Sequence, residues 1–180
     1  PEDPEIMISE SQGGNIMKTD LRTRQQRDIS PQPRRNDGGP ASGLPYRFNW
    51  NTPIVTSPHD AKTVYFAGNV VFRSRDFGES WEKISPDLTT DDKQKQKDAG
   101  GPVWKENTTA ENHCTIISFA ESAAQKGVLW VGTDDGNLQL SRDDGATWAN
   151  VVANLPGVAQ FSPVSHVEPS RTDPGTAWVA

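Results

Sequence analysis

Cysteine is almost absent from this sequence: Cys114 stands alone among 180 residues, which excludes an intrachain disulfide and a cysteine-rich metal site and leaves the redox compartment open. Histidine is nearly as scarce. His59, His113 and His166 are scattered along the chain and supply no metal-ligand spacing, so no metal and no cofactor is expected. No apolar run approaches ~18 residues, so nothing reads as a membrane-spanning helix. An excess of basic charge is missing too: 18 Lys and Arg stand against 24 Asp and Glu, a net charge of -6. That balance gives no general attraction to nucleic acid or anionic lipid. The chain opens on Pro1 without a Met or a signal sequence, and the expectation is that processing or fragmentation removed the true start.

Turn-forming residues and tryptophan are plentiful instead. Gly (15) and Pro (14) punctuate the chain, 33% of it is hydrophobic, and six Trp are spread along its length. Short strands separated by many turns fit that composition, so the expected fold class is all-β.

One stretch organises the rest. Ser74 to Trp81 reads Ser-Arg-Asp-Phe-Gly-Glu-Ser-Trp and returns from Ser141 to Trp148 as Ser-Arg-Asp-Asp-Gly-Ala-Thr-Trp. The positions in register are Ser74/Ser141, Asp76/Asp143, Gly78/Gly145 and Trp81/Trp148. Such a pattern predicts a tight turn between two strands. The Asp carboxylate accepts hydrogen bonds from nearby backbone N–H groups, the Gly supplies a conformation barred to other residues, and the Trp buries a large ring.

Around these turns the chain divides into repeats. Residues 1–30 read as a partial unit: strand, turn, strand, turn, strand, with a degenerate copy of the turn after Thr19 that lacks Gly and Trp. Arg22, Arg24, Arg27, Arg34 and Arg35 gather there, a solvated loop face in preference to an anion site. Residues 31–45 form a Pro- and Gly-rich linker loop, 46–84 a complete four-stranded unit, and 113–155 another. Residues 156–180 begin a third, and Tyr65, Trp130 and Trp178 fall at matching places in the second strands. Between the complete units lies an insertion, 85–112, whose polar first half from Thr89 to Asp98 is expected to be mobile or a solvated helical turn. Four strands in about 40 residues make one propeller blade, and a closed propeller needs ~4 to 8 of them. The expected architecture is therefore a fragment of a β-propeller with four-stranded antiparallel blades, whose partners are the remaining blades of a parent chain.

The repeated turn resembles the Asp-box, or BNR repeat, of sialidases, sortilins and several glycoside-hydrolase propellers. Tyr46-Arg-Phe-Asn-Trp-Asn-Thr-Pro53, Trp81-Glu-Lys-Ile-Ser-Pro-Asp-Leu88, Glu111-Asn-His-Cys-Thr115 and Trp130-Val-Gly-Thr-Asp-Asp-Gly-Asn137 resemble the large bacterial proteins described as glycosyl hydrolases with BNR repeats or as sortilin-like propellers. The resemblance implies an exported protein, secreted or periplasmic. It also implies a polysaccharide or peptide ligand at the mouth of the propeller. Two function classes follow from it: a carbohydrate-active propeller similar to the xyloglucan-cleaving endoglucanases, and a non-catalytic sortilin-like binding module. A structural or assembly propeller is a third. No segment carries over either catalytic Asp of the endoglucanases.

In a propeller the fourth-to-first connections share a face with the turns between second and third strands, opposite the repeated turns. On that face the candidate ligand contacts are Arg47, Asn49, Trp50, Asn51, Trp104, Glu111, Asn112 and His113: aromatic surface for a sugar or peptide ring, ringed by hydrogen-bonding groups. Each has a second reading. Trp50 and Trp104 also suit a cap on the blade interface, and the Asn side chains also suit ties between loop backbones. Glu111 and His113 are the weak candidates for a general acid–base pair. Asp134-Asp135-Gly136 lacks the alternating oxygen ligands of a calcium loop and reads as a hairpin turn. Asn107-Thr-Thr109 matches a glycosylation acceptor.

Overall fold

The computed structural model describes residues 3–33 and 38–180. Arg34 and Arg35 of the expected basic cluster, with part of the expected 31–45 loop, lie outside the described residues. The chain is all-β, a stack of antiparallel meanders. The first sheet holds β1 (Ile6–Ser11), β2 (Asn15–Asp20) and β3 (Gln25–Asp28). The second holds β4 (Ile54–Thr56), β5 (Val64–Ala67), β6 (Val71–Ser74) and β7 (Glu82–Lys83). The third runs through β8 (Ile116–Glu121), β9 (Leu129–Thr133), β10 (Leu138–Ser141) and β11 (Ala149–Asn150), and β12 (Val167–Pro169) pairs with β13 (Ala177–Val179) in the fourth. Helical structure among the described residues is limited to the single 3-10 turns Ala41–Gly43 and Val152–Asn154.

Side chains alternate across a strand, so a sheet with neighbours on both faces must be apolar on both. That is what β5, β6 and β9 show: every residue in them is buried. Phe66 of β5 packs toward the first sheet with Ile16, Ile29, Phe48 and Phe72. Its neighbours Tyr65 and Ala67 face the third sheet with Ile116, Phe119, Leu129 and Val131, and the Tyr65 and Phe119 rings lie 4.9 Å apart. Trp130, from the other face of β9, packs with Val164 and Val167 toward the fourth sheet. Each fully buried side chain of this size contributes about 1.5–3 kcal/mol of apolar transfer free energy, so these inter-sheet seams carry the fold.

The two repeated turns are superimposable in their bonds. Ser74 Oγ donates to Asp76 Oδ1 (2.8 Å) and accepts from the Gly78 N–H (2.7 Å), while Ser80 donates its N–H to Asp76 Oδ1 (2.9 Å) and its hydroxyl to Oδ2 (2.6 Å). Ser141, Asp143, Gly145 and Thr147 repeat the set at 2.9, 2.9, 2.8 and 2.6 Å. Gly78 and Gly145 sit at φ +88° and +90°. The space a Cβ would fill there is occupied by Ile29 in one case and Ile84 in the other. The same two residues receive the Trp side chains: Trp81 Nε1 donates to Ile29 O (2.5 Å), and Trp148 Nε1 to Ile84 O (3.2 Å). Each turn is thus a clasp that locks one sheet onto the sheet before it. Downstream of Ile29 and Ile84 the pattern repeats again, Ser30 Oγ accepting from the Ile16 N–H (2.9 Å) and Ser85 Oγ from the Val71 N–H (2.8 Å).

The Asp76 carboxyl is pulled down to about 2 by the Ser80 hydroxyl, against the opposing effect of burial, with the Ser80 N–H and the Ser74 hydroxyl adding to the pull. A depressed carboxyl stabilises the fold above its unfolded value of 3.8 and loses that contribution as pH falls through about 2. Asp76→Asn is expected to cost about 1 kcal/mol at neutral pH, kept small because the carboxylate faces solvent. Urea midpoints of both proteins should converge in strong acid. A gap that stays constant with pH would contradict the role given to the ionised form.

Tyr46–Asn51 enters β4 without strand pairing, and its polar groups bond to nearby turns, beginning with Arg47 N–H to Asn69 Oδ1 (3.0 Å). The outer strands β7 and β11 pair over two residues each and form edges of their sheets among the described residues.

Candidate functional site

The segment before β4, the β5–β6 turn, the insertion, the entrance to β8 and the β9–β10 turn meet on one face, held by two polar clusters. Arg47 centres the first. It is 3% exposed, and its guanidinium donates to Cys114 O (3.1 Å), Asp87 Oδ2 (2.6 Å) and Thr89 Oγ1 (3.1 Å), with Asp91 at 3.2 Å. Asn69 closes the ring by donating to Asp87 Oδ2 (2.8 Å). Every donor face of the guanidinium is engaged, so Arg47 arrives on the predicted face as scaffold, bracing three loops against one buried cation.

Asp134 centres the second cluster. Its Oδ1 accepts from the Thr115 N–H (2.8 Å), and its Oδ2 from the Thr115 hydroxyl (2.9 Å) and Asn49 Nδ2 (3.4 Å), with His113 Nδ1 at 3.5 Å. Burial pushes the Asp134 carboxyl up, outweighing those bonds. Next to it Asp135, also buried, is held below the usual carboxylate range: burial opposes ionisation, but the Thr133 hydroxyl and the Thr90 hydroxyl and N–H together prevail. The two adjacent acids therefore divide the work, Asp134 fixing the entrance to β8 and Asp135 pinning the insertion.

Around these clusters lies the rim. Trp50, 49% exposed, is set by its own N–H on Asn49 Oδ1 (2.7 Å) and by Nε1 on Glu111 Oε1 (3.3 Å). Asn51 is exposed beside it. Asn112 Nδ2 donates to Phe48 O (3.0 Å) and Thr109 O (2.9 Å), so its carboxamide ties backbone. Glu111 and His113 have different partners, Trp50 and Asp134, and no hydrogen bond joins them among the described contacts. Trp104 stands apart, 77% exposed beside Val103 on the hairpin closed by the Gly100–Lys105 bridge, and no described contact ties it to the other candidates.

The insertion is held more firmly than its polarity predicts. Leu88 and Gln96 are buried, Leu88 O accepts from Asn137 (3.0 Å) and Gln139 (3.0 Å), and Gln96 O accepts from the Ser42 N–H (3.1 Å). The Asn107 carboxamide is likewise spoken for, bonding Gly38 O, Asp98 and the Ala99 N–H. A cleft of about 490 Å³ lined by Arg73, Glu82, Ser85 and Asp144 includes none of the candidate contacts.

Sequence reasoning placed Arg47, Asn49, Trp50, Glu111, Asn112 and His113 on one face together with the 134–137 turn, but it missed Asp87 and Asp91 and read Asp134 and Asp135 as turn residues without the bonds by which they brace the face. The available signal was the doubled acid at 134–135. A turn with Gly136 at φ +94° needs one such side chain, and the second had to have another use.

No family model matches the chain, and no curated protein matches it. Solved structures do. The chain is similar to a GH74 xyloglucanase from Xanthomonas campestris, with 20% identity and a TM-score of 0.53 over 95% of this chain and 24% of that one. It is also similar to an ancestral GH74 enzyme, at 13% identity and a TM-score of 0.52, over 98% of this chain and 20% of that one. The chain spans about a quarter or less of the length of these structures. At such identities the likeness concerns the fold, which is that of stacked four-stranded β-propeller blades.

Proposed function

We propose that this chain forms part of an exported Asp-box propeller and that the face carrying Trp50 binds carbohydrate. The observation that carries this reading is the half-exposed indole of Trp50, which donates its Nε1–H to Glu111 while the Trp50 backbone N–H is held by Asn49 Oδ1. A rigid aromatic plane beside an exposed carboxylate and Asn51 is the arrangement that stacks on a sugar ring and bonds its hydroxyls. The similarity to glycoside-hydrolase propellers supports the same ligand class. Asp134, enclosed by Thr115 and Asn49, acts as scaffold in this reading, and Glu111 and His113 as ligand contacts.

Further blades complete the unit. Trp178 is 63% exposed, whereas Tyr65 and Trp130 at the same register are 2% and 6% exposed, each covered by the sheet that follows. An equivalent sheet against β13 would cover Trp178 in the same way.

The test is reducing-sugar release by the parent protein from xyloglucan and other plant and bacterial polysaccharides, with Glu111→Gln and His113→Ala alongside. The expected result is that either variant raises KM while kcat changes little. A collapse of kcat in a folded variant would make that residue part of the chemistry. No saccharide bound or cleaved by the intact protein would overturn the proposal and favour a peptide-binding propeller.

A further inference from the structure

Phe161 carries an aromatic ring where the backbone favours glycine. Ser162 N–H donates to Ala159 O (3.1 Å), closing a turn in which Phe161 takes the third position at φ +65°. A bulky side chain adopts that left-handed conformation at a cost, so its surroundings must hold it there. Two contacts do so. The Phe161 backbone presses on Gly136 of the β9–β10 turn, its Cα 2.7 Å from where a Cβ would stand, and Lys95 Nζ of the insertion lies 4.0 Å from the centre of the ring. The residue is nonetheless 46% exposed, almost as open as Trp50. The core has no use for this ring, because the seam toward the fourth sheet is filled by Trp130, Val164 and Val167.

The repeat places Phe161 on the ligand face. Gly68 O accepts from the Ile116 N–H (2.7 Å) and Thr133 O from the Val164 N–H (2.9 Å), so residues 161–164 enter the fourth sheet as residues 113–116 enter the third. Phe161 thus stands where His113 stands one unit earlier. The 134–136 turn ties it to Trp50: Gly136 packs against Phe161, Asp134 Oδ2 accepts from Asn49 Nδ2 (3.4 Å), and Asn49 Oδ1 accepts from the Trp50 N–H (2.7 Å). Two half-open aromatic side chains are therefore fixed to one turn.

We propose that Phe161 is a second stacking platform and that the face takes an extended oligosaccharide reaching both Trp50 and Phe161. This rests on the carbohydrate reading of the Trp50 face and adds to it the length of the ligand. Lys95 holds one side of the ring by a cation–π contact, which sets the other side as the surface for a sugar.

Calorimetric titration of the intact parent protein with cellobiose and with cellohexaose tests the second platform. Cellohexaose should bind the wild type more tightly by about tenfold, the order of one further aromatic contact. Phe161→Ala should remove most of that gain and leave cellobiose binding unchanged, whereas Trp50→Ala should weaken both ligands. Lys95→Gln, which frees the ring, should lose part of the gain. Should Phe161→Ala fail to fold, Phe161→Gly, which suits the positive φ, reads the same loss. A gain that survives intact in the Phe161 variant, or a wild type that binds both ligands equally, would overturn the second platform and leave the Trp50 site standing. No binding of either ligand by the folded wild type would overturn both.

Discussion

Arg47→Met is expected to lower the stability of the chain by about 3 kcal/mol, the range for removing one partner of a buried ion pair. The side chain is nearly as long as the one it replaces, so little packing is lost and the cost is electrostatic. Asp87 loses its counter-charge, Asp91 is left with the exposed Lys93 alone, and Cys114 O loses its donor. Asp87 and Asp91 keep 29% and 40% side-chain exposure and can recover some hydration, which holds the loss below the upper end of that range. Denaturant midpoints give the number. Arg47→Lys should rescue only part of it, because an ammonium cannot reach all the acceptors that the planar guanidinium serves at once. A loss within about 0.5 kcal/mol for Arg47→Met, the ordinary size of a surface substitution, would mean that the three loops are held by something other than this cation.

The repeated clasps were legible in the sequence because their chemistry is local. Ser74, Asp76, Gly78 and Ser80 bond to one another within a single turn, so spacing alone reveals them. The all-β fold followed for a similar reason, from turn residues set between short apolar runs. What the Trp and Gly of each clasp meet was not legible, since Ile29 lies 52 residues before Trp81, and Ile84 lies 64 before Trp148.

The candidate face was legible in outline and obscure in its wiring. Loop order in a propeller brings Arg47, Trp50, Glu111 and His113 to one side, but no periodicity announces that Arg47 will find Asp87 40 residues on or that Asn49 will find Asp134 85 residues on. The insertion was legible in part: residues 93–96 form the turn its polarity suggests, but its anchoring was not legible. Its run of Thr, Asp, Lys and Gln has the composition of a solvated loop, yet Leu88 fills the seam beside Tyr65 and Gln96 is buried. Two anchors suffice to order a polar loop when its backbone groups find partners. Trp104 shows the opposite case, a large aromatic that composition would bury and that stands 77% exposed at a hairpin.

The central claim is that Trp50 is the stacking surface of a saccharide site, and the second large effect is expected there. Trp50→Ala should weaken saccharide binding by about tenfold or more, because an aromatic contact is worth about 0.5–1.5 kcal/mol beyond the area it covers, and each 1.4 kcal/mol is a factor of ten. The loss should leave the urea midpoint almost unchanged, since the indole is half exposed and packs little of the core. The most direct measurement is a titration of cellohexaose into the 15N-labelled chain, wild type and Trp50→Ala side by side. The account predicts amide shifts centred on Asn49, Trp50, Asn51 and Glu111 in the wild type and their loss in the variant. Shifts confined to the Ser74–Trp81 and Ser141–Trp148 turns, or an affinity untouched by removal of the indole, would contradict it.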